Sequence, residues 1–289
     1  MPLVTTQEIV EAARERGVGV GAFNVITLEH AAAIVDGAER AGAAVVLQVS
    51  ENAVRYHGGR LSPIAAGTAS LAASATVPVS LHLDHVEDEE LMRQAPENGF
   101  SSVMFDASKR DFEDNVRATR AAADWAHEQG IYLEAELGEV GGKNGAHAPG
   151  VRTDPAEASR YVTSTGVDSL AVAVGSSHAM TTRTAHLDHA LIRRLRDAVP
   201  VPLVLHGSSG VSDADLRSAV DAGMVKVNIG TILNVAFTNA VREALGDELL
   251  VDPRRYLAPA RASMSTVVEH LLTVLRLEQR ADRPEVAVD

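Results

Sequence analysis

The chain has 289 residues, with 39 Asp and Glu against 26 Lys and Arg, a formal net charge of -13. A field of that sign repels phosphate backbones and anionic lipid surfaces, which excludes nucleic-acid and membrane partners and means that any phosphate must be held locally. With no Cys, metal chemistry falls to His, Asp and Glu; residues 1–16 lack the apolar core of a signal peptide and no apolar run reaches membrane length, so a cytoplasmic protein is expected.

Eight short β-rich runs are predicted as strands, at 18–24, 43–50, 77–84, 101–108, 131–137, 169–176, 201–207 and 225–231. They recur about every thirty residues, with amphipathic helical segments between them. Gly42, Gly99, Gly130, Gly166 and Gly223 stand where helix-to-strand turns are needed. The runs are apolar nearly throughout, as parallel strands covered on both faces are. Eight such units predict an α/β fold, a TIM (β/α)8 barrel filling residues 1–280 as one catalytic domain, with a loose polar tail at 281–289. An open doubly wound sheet would announce a nucleotide loop after its first strand; Gly17-Val18-Gly19-Val20-Gly21 instead precedes or overlaps a strand and reads as a turn.

In a barrel of this kind chemistry sits at the C-terminal strand ends. Those ends, in chain order, carry Asn24, Ser50, Asp84 with His85, Asp106 with Ser108, Glu136, His178, His206, and Asn228 with Thr231. His85, His178 and His206 are candidate metal ligands, because three neutral imidazoles from separate strands form a common catalytic zinc set with one position open. His82 is read as supporting the site from behind the ligands. Glu136 is either an additional oxygen ligand or a salt-bridge partner at the rim. Asp84, beside a ligand without being one, suits proton transfer on a metal-held substrate; the alternative is a carboxylate orienting a ligand His. The Gly-rich segment 138–150 reads either as an active-site loop or as an ordinary surface loop. Gly207-Ser208-Ser209-Gly210 and Asn228-Ile229-Gly230-Thr231 follow the last two strands, where barrels bind phosphate through backbone N–H groups.

Taken in order, His82-Leu83-Asp84-His85, Glu134-Ala135-Glu136-Leu137-Gly138, Leu205-His206-Gly207-Ser208-Ser209-Gly210 and Lys226-Val227-Asn228-Ile229-Gly230-Thr231 resemble the zinc-dependent class II ketose-bisphosphate aldolases. The likeness runs from Ala22-Phe23-Asn24 to Met264. It implies Asp84 as the catalytic acid/base, His85, His178 and His206 as zinc ligands, and the segments Gly207 to Ser209 and Asn228 to Thr231 as the cradle of dihydroxyacetone phosphate. The implied reaction is cleavage of a ketose 1,6-bisphosphate, fructose favoured over tagatose, to dihydroxyacetone phosphate and glyceraldehyde 3-phosphate. The implied assembly is a homodimer or homotetramer, with 263–278 a contact region.

Three departures from the family pattern stand out. Ala179 replaces the usual Gly after the sixth-strand His, altering a backbone contact to the phosphate or to a nearby monovalent cation. Lys143 and Asn144 stand where relatives often carry acidic residues, which leaves the second proton carrier between Glu139 and His147. Ala258 replaces an Arg found in some members, so the distal phosphate falls to Arg261 or Arg55. Two other readings remain: an aldolase releasing dihydroxyacetone phosphate from another ketose phosphate, and a metal-dependent barrel hydrolase or isomerase, which leaves the phosphate loops unexplained.

Overall fold

The computed structural model describes residues 2–137, 152–177 and 180–276. The expected ligand His178, its neighbour Ala179, the loop residues Glu139, Lys143, Asn144 and His147, and the tail 281–289 lie outside them. All eight predicted strands are present: β1 Val20–Asn24, β2 Val45–Ser50, β3 Val79–Val86, β4 Ser102–Phe105, β5 Tyr132–Leu137, β6 Ser169–Val172, β7 Leu203–Leu205 and β8 Met224–Ile229. Each pairs in parallel with the next and β8 closes onto β1, giving the expected barrel. The five turn glycines all take positive φ, between 56° and 127°.

The helices follow the alternating plan with additions. α2 (Leu28–Ala41) follows β1; α3 (Glu51–Tyr56) and α4 (Leu61–Ser74) follow β2; α5 (Glu89–Arg93) follows β3. Then α6 (Phe112–Glu128), α7 (Pro155–Thr165), α8 (His189–Ala198) and α9 (Asp213–Ala222) succeed β4 to β7, and α10 (Thr231–Ala244) and α11 (Pro253–Leu275) close the chain. A helix absent from the sequence reading, α1 (Thr6–Arg16), precedes the barrel. The Thr5 side chain caps it while Glu8 reaches back to the Thr5 backbone, a reciprocal cap, and Gly17 ends it at φ 63°. α1 seals the N-terminal end of the barrel: Ile9, Val10 and Ala13 pack on Val20, Ala22, Val46, Tyr132 and Val225.

The outward strand faces and the helices share the main apolar core, from Phe23 and Val45 to Leu272 and Leu275. Helices α2 and α11 approach closely at Gly37, where an added Cβ would stand 2.6 Å from the Ser265 carbonyl oxygen. Inside the barrel the strands are not apolar throughout. Above the α1 plug sit buried Ser80, His82, Ser102, Glu134 and Lys226, and above these the mouth carries Asp84, His206 and Asn228. Alternation puts residues two apart on one face, so Glu134 with Glu136, and Lys226 with Asn228, share the inner wall. Among the described residues no helix is long and apolar enough to cross a membrane.

Candidate active site

A cleft of about 350 Å³ opens at the C-terminal strand ends. Nine of the residues expected to bind substrate or act on it line the cleft wall beside His85: Asn24, Ser50, Asp84, Gly207, Ser208, Ser209, Asn228, Gly230 and, at the start of α10, Thr231. Two expected residues stand elsewhere. Ile229 faces outward into the core, because it alternates with Asn228 on β8. Arg261 is an exposed side chain on α11, 3.9 Å from Asp36 of α2, and does not line the cleft. Arg55 is exposed on α3, bonded to Glu51 and Asn52, one residue from the lining Tyr56.

Strict alternation would send Asp84 and His85 to opposite faces. The register prevents it: Leu83 pairs with Val103 but Val86 with Phe105, so β3 carries one extra residue at this point. His85 absorbs the bulge at φ 50°, and among the described residues it is the only non-glycine at positive φ. Such a conformation costs a non-glycine residue free energy, and the surrounding contacts must hold it. The result is that carboxylate and imidazole both face the mouth.

The two described candidate ligands, His85 and His206, are each gripped from behind by a carboxylate. His85 Nδ1 lies 3.2 Å from Asp106 Oδ2, and Asp106 is itself fixed by the Ser108 backbone N–H and hydroxyl at 3.1 and 2.6 Å. His206 Nε2 lies 2.9 Å from Glu134 Oε1, while Lys226 Nζ donates to the other Glu134 oxygen at 2.8 Å. The nitrogens turned inward by these bonds, His85 Nε2 and His206 Nδ1, face each other at 3.1 Å. Two like lone-pair donors brought that close, each oriented by a carboxylate behind it, form the donor arrangement of a divalent metal centre. Asp84, His85 and His206 offer ligand atoms within 4.8 Å of one another, and so do His85, Asp106 and Glu136. The two groups have His85 alone in common, and Glu136 belongs to the second with Asp106 rather than to the first with His206. The donor set, nitrogen and oxygen without sulfur, fits zinc.

Asp84 is held from two sides, by Gln48 Nε2 at Oδ2 and Asn228 Nδ2 at Oδ1, each at 3.4 Å. Gln48 also donates to Asn24 Oδ1 at 2.7 Å. Below them His82 bonds Ser102 at 2.7 Å and faces Lys226 at 3.5 Å. Burial, with the Lys226 ammonium nearby, holds the His82 imidazole well below its usual pKa, so it stays neutral. In the loops expected to hold phosphate, Gly207 is left-handed at φ 67°. The Ser208 hydroxyl donates to the Asn228 carbonyl, and Ser209 Oγ accepts from the Ile232 N–H at 3.2 Å. A Cβ at Gly230 would stand 3.1 Å from Asn24 Oδ1, so the Asn24 side chain would have to give way by a few tenths of an ångström.

Sequence reasoning assigned no role to Gln48, Glu134 or Lys226, and it passed over the lining residues Asn52, Tyr56 and Asn234. A signal existed for the first three: each is a polar or charged residue inside an otherwise apolar strand.

The model of the class-II fructose-bisphosphate aldolase family matches residues 4–280. The chain belongs to that family. A fructose-bisphosphate aldolase of Thermus caldophilus is 39% identical, with 92% of this chain and 96% of that protein covered. One from Staphylococcus aureus is 37% identical over 97% of this chain and 100% of its own length. The crystal structure of the YdjI aldolase from Escherichia coli K12 superposes with a TM-score of 0.84 at 34% identity, covering 97% of this chain and 100% of that one. The chain is therefore an aldolase of a zinc-dependent family.

Proposed function

We propose that the chain cleaves a ketose 1,6-bisphosphate, fructose 1,6-bisphosphate foremost, to dihydroxyacetone phosphate and glyceraldehyde 3-phosphate. The observation that carries this reading is the convergence of a buried carboxylate, Asp84, with two carboxylate-backed imidazoles at the mouth of a cleft whose far wall is built of Gly and Ser loops.

Asp84 takes the proton of the C4 hydroxyl. As that oxygen becomes a carbonyl the C3–C4 bond breaks, and its electron pair passes to the three-carbon fragment, which is reprotonated at C3. Gln48 and Asn228 hold the Asp84 carboxylate in place while it accepts the proton. His85 and His206, with His178 as third donor, would hold zinc, whose positive charge stabilises the negative charge on that fragment. Backbone N–H groups of Gly207 to Ser209 and Gly230 to Thr231 hold the phosphate, fixing the reacting carbons beside Asp84. Arg55, one residue from the lining Tyr56, is the stronger candidate for the distal phosphate. The reading carries with it a cytoplasmic homodimer or homotetramer and, near Ala179, a monovalent cation.

The test is a coupled assay for dihydroxyacetone phosphate release from fructose 1,6- and tagatose 1,6-bisphosphate, each with zinc and with chelator. Chelator-sensitive release is expected, faster from the fructose sugar. A zinc-loaded protein that releases it from neither would move the reading to a ketose phosphate with another aldehyde half.

A further inference from the structure

A buried histidine that the reaction leaves unused stands behind the phosphate end of the cleft. His30, in the first turn of α2, is 4% exposed and stacks on Phe237 with ring centroids 5.5 Å apart. Its Nδ1 lies 3.1 Å from Thr27 Oγ1 and its Nε2 3.3 Å from Asn234 Oδ1. Asn234 sits one turn after Gly230 and Thr231 in α10 and lines the cleft.

The direction of these bonds follows from the surroundings. Burial pulls the His30 pKa below its usual value, so the ring is neutral and carries one proton. Thr27 is the residue before α2, and its hydroxyl makes no capping bond to the helix. It is therefore available to donate to Nδ1. That nitrogen also faces the positive end of the helix dipole, which favours a lone pair there. The proton then sits on Nε2 and is donated to Asn234 Oδ1. With its oxygen so occupied, the Asn234 amide turns its N–H groups toward the cleft.

The wall of that cleft, among the described residues, contains no Lys or Arg. A phosphate held there depends on neutral N–H donors, and an Asn that presented its oxygen instead would repel the dianion. We infer that Asn234 is a binding residue for the phosphate of the dihydroxyacetone phosphate half, and that Thr27 and His30 are positioning residues which set the polarity of its amide. The inference rests on the aldolase reading, and it adds a donor to the backbone cradle of Gly207 to Ser209 and Gly230 to Thr231.

The experiment uses the full-length zinc-loaded enzyme. Asn234→Asp, equal in size and opposite in polarity, should raise KM about tenfold or more, the loss falling on KM rather than kcat. The inhibition constant of dihydroxyacetone phosphate should rise in step, while that of glyceraldehyde 3-phosphate stays put. Asn234→Ala should do the same more weakly. His30→Leu should raise KM several-fold, and His30→Gln, whose side-chain amide can still donate to Asn234, should restore it. His30→Leu added to Asn234→Ala should change nothing further. Calorimetric titration with inorganic phosphate reads the site without turnover: the wild type should bind it, and Asn234→Asp should bind it about tenfold more weakly. If no sugar is cleaved yet phosphate binding responds this way, the reaction is wrong and the phosphate site stands. Unchanged KM and unchanged phosphate affinity in both Asn234 variants, no phosphate binding by the wild type, or a shift confined to glyceraldehyde 3-phosphate would overturn it.

Discussion

The two ends of the barrel are built from the same eight strands and solve opposite problems. At the N-terminal end α1 drives Ile9, Val10 and Ala13 onto Val20, Ala22 and Val46, and the contact is apolar. At the C-terminal end, a few residues further along the same strands, Asp84, His85, His206 and Asn228 crowd together. Apolar packing is non-directional and tolerates small shifts, whereas the mouth must fix particular nitrogens and oxygens to within tenths of an ångström. The layer between them makes the transition, because Lys226 and Glu134 are fully buried and grip one another, while Glu134 also holds His206 and Lys226 faces His82. The lower barrel thus supplies stability and the upper barrel spends some of it on holding groups that water would otherwise solvate.

That division can be broken at graded cost. His206→Ala should have the largest effect on function: zinc no longer binds stoichiometrically and cleavage falls to background, measured by metal analysis beside the assay. Lys226→Met should cut both ways. It leaves Glu134 buried without its partner, costing about 3–5 kcal/mol in a denaturant melt. It also loosens the grip on His206, which should weaken zinc by roughly 10–100-fold in competition with a chelator. If stability fell and zinc affinity did not, the middle layer would be structural alone. Ile9→Ala probes the other end: about 2–4 kcal/mol of stability lost from the α1 contact, with KM and kcat unchanged. Gly37→Ala should be milder, about 1–3 kcal/mol, as α2 and α11 are wedged apart at Ser265 on the outside of the barrel.

The strands were legible in the sequence because a parallel barrel repeats one local pattern, apolar run, turn glycine and amphipathic helix, and needs no distant information to show it. The ends of those strands were legible for the same reason: Asp84, His85, His206 and Asn228 interrupt apolar runs at the positions where barrels place their chemistry. What could not be read was pairing across the barrel. Lys226 and Glu134 are 92 residues apart in the chain, and each alone shows only that a charge interrupts an apolar strand, not which partner meets it. The turn of His85 was equally hidden, since the extra residue in β3 is defined by its register with β4. The place of Arg261 was not legible either, because a conspicuous Arg in a helix gives no hint of which side of the barrel wall it occupies. The charges of α1 obscured its apolar face, Ile9, Val10 and Ala13, which becomes apparent only against the strands it covers.

The central claim is that Asp84 moves the proton while other residues hold the metal, and Asp84→Asn separates the two. Zinc content and turnover of fructose 1,6-bisphosphate should be measured on one preparation of that variant. The account predicts stoichiometric zinc with turnover lowered by roughly 10²–10⁴-fold. Retained turnover with zinc bound would remove Asp84 from the proton transfer, and lost zinc would show that its carboxylate serves the metal instead.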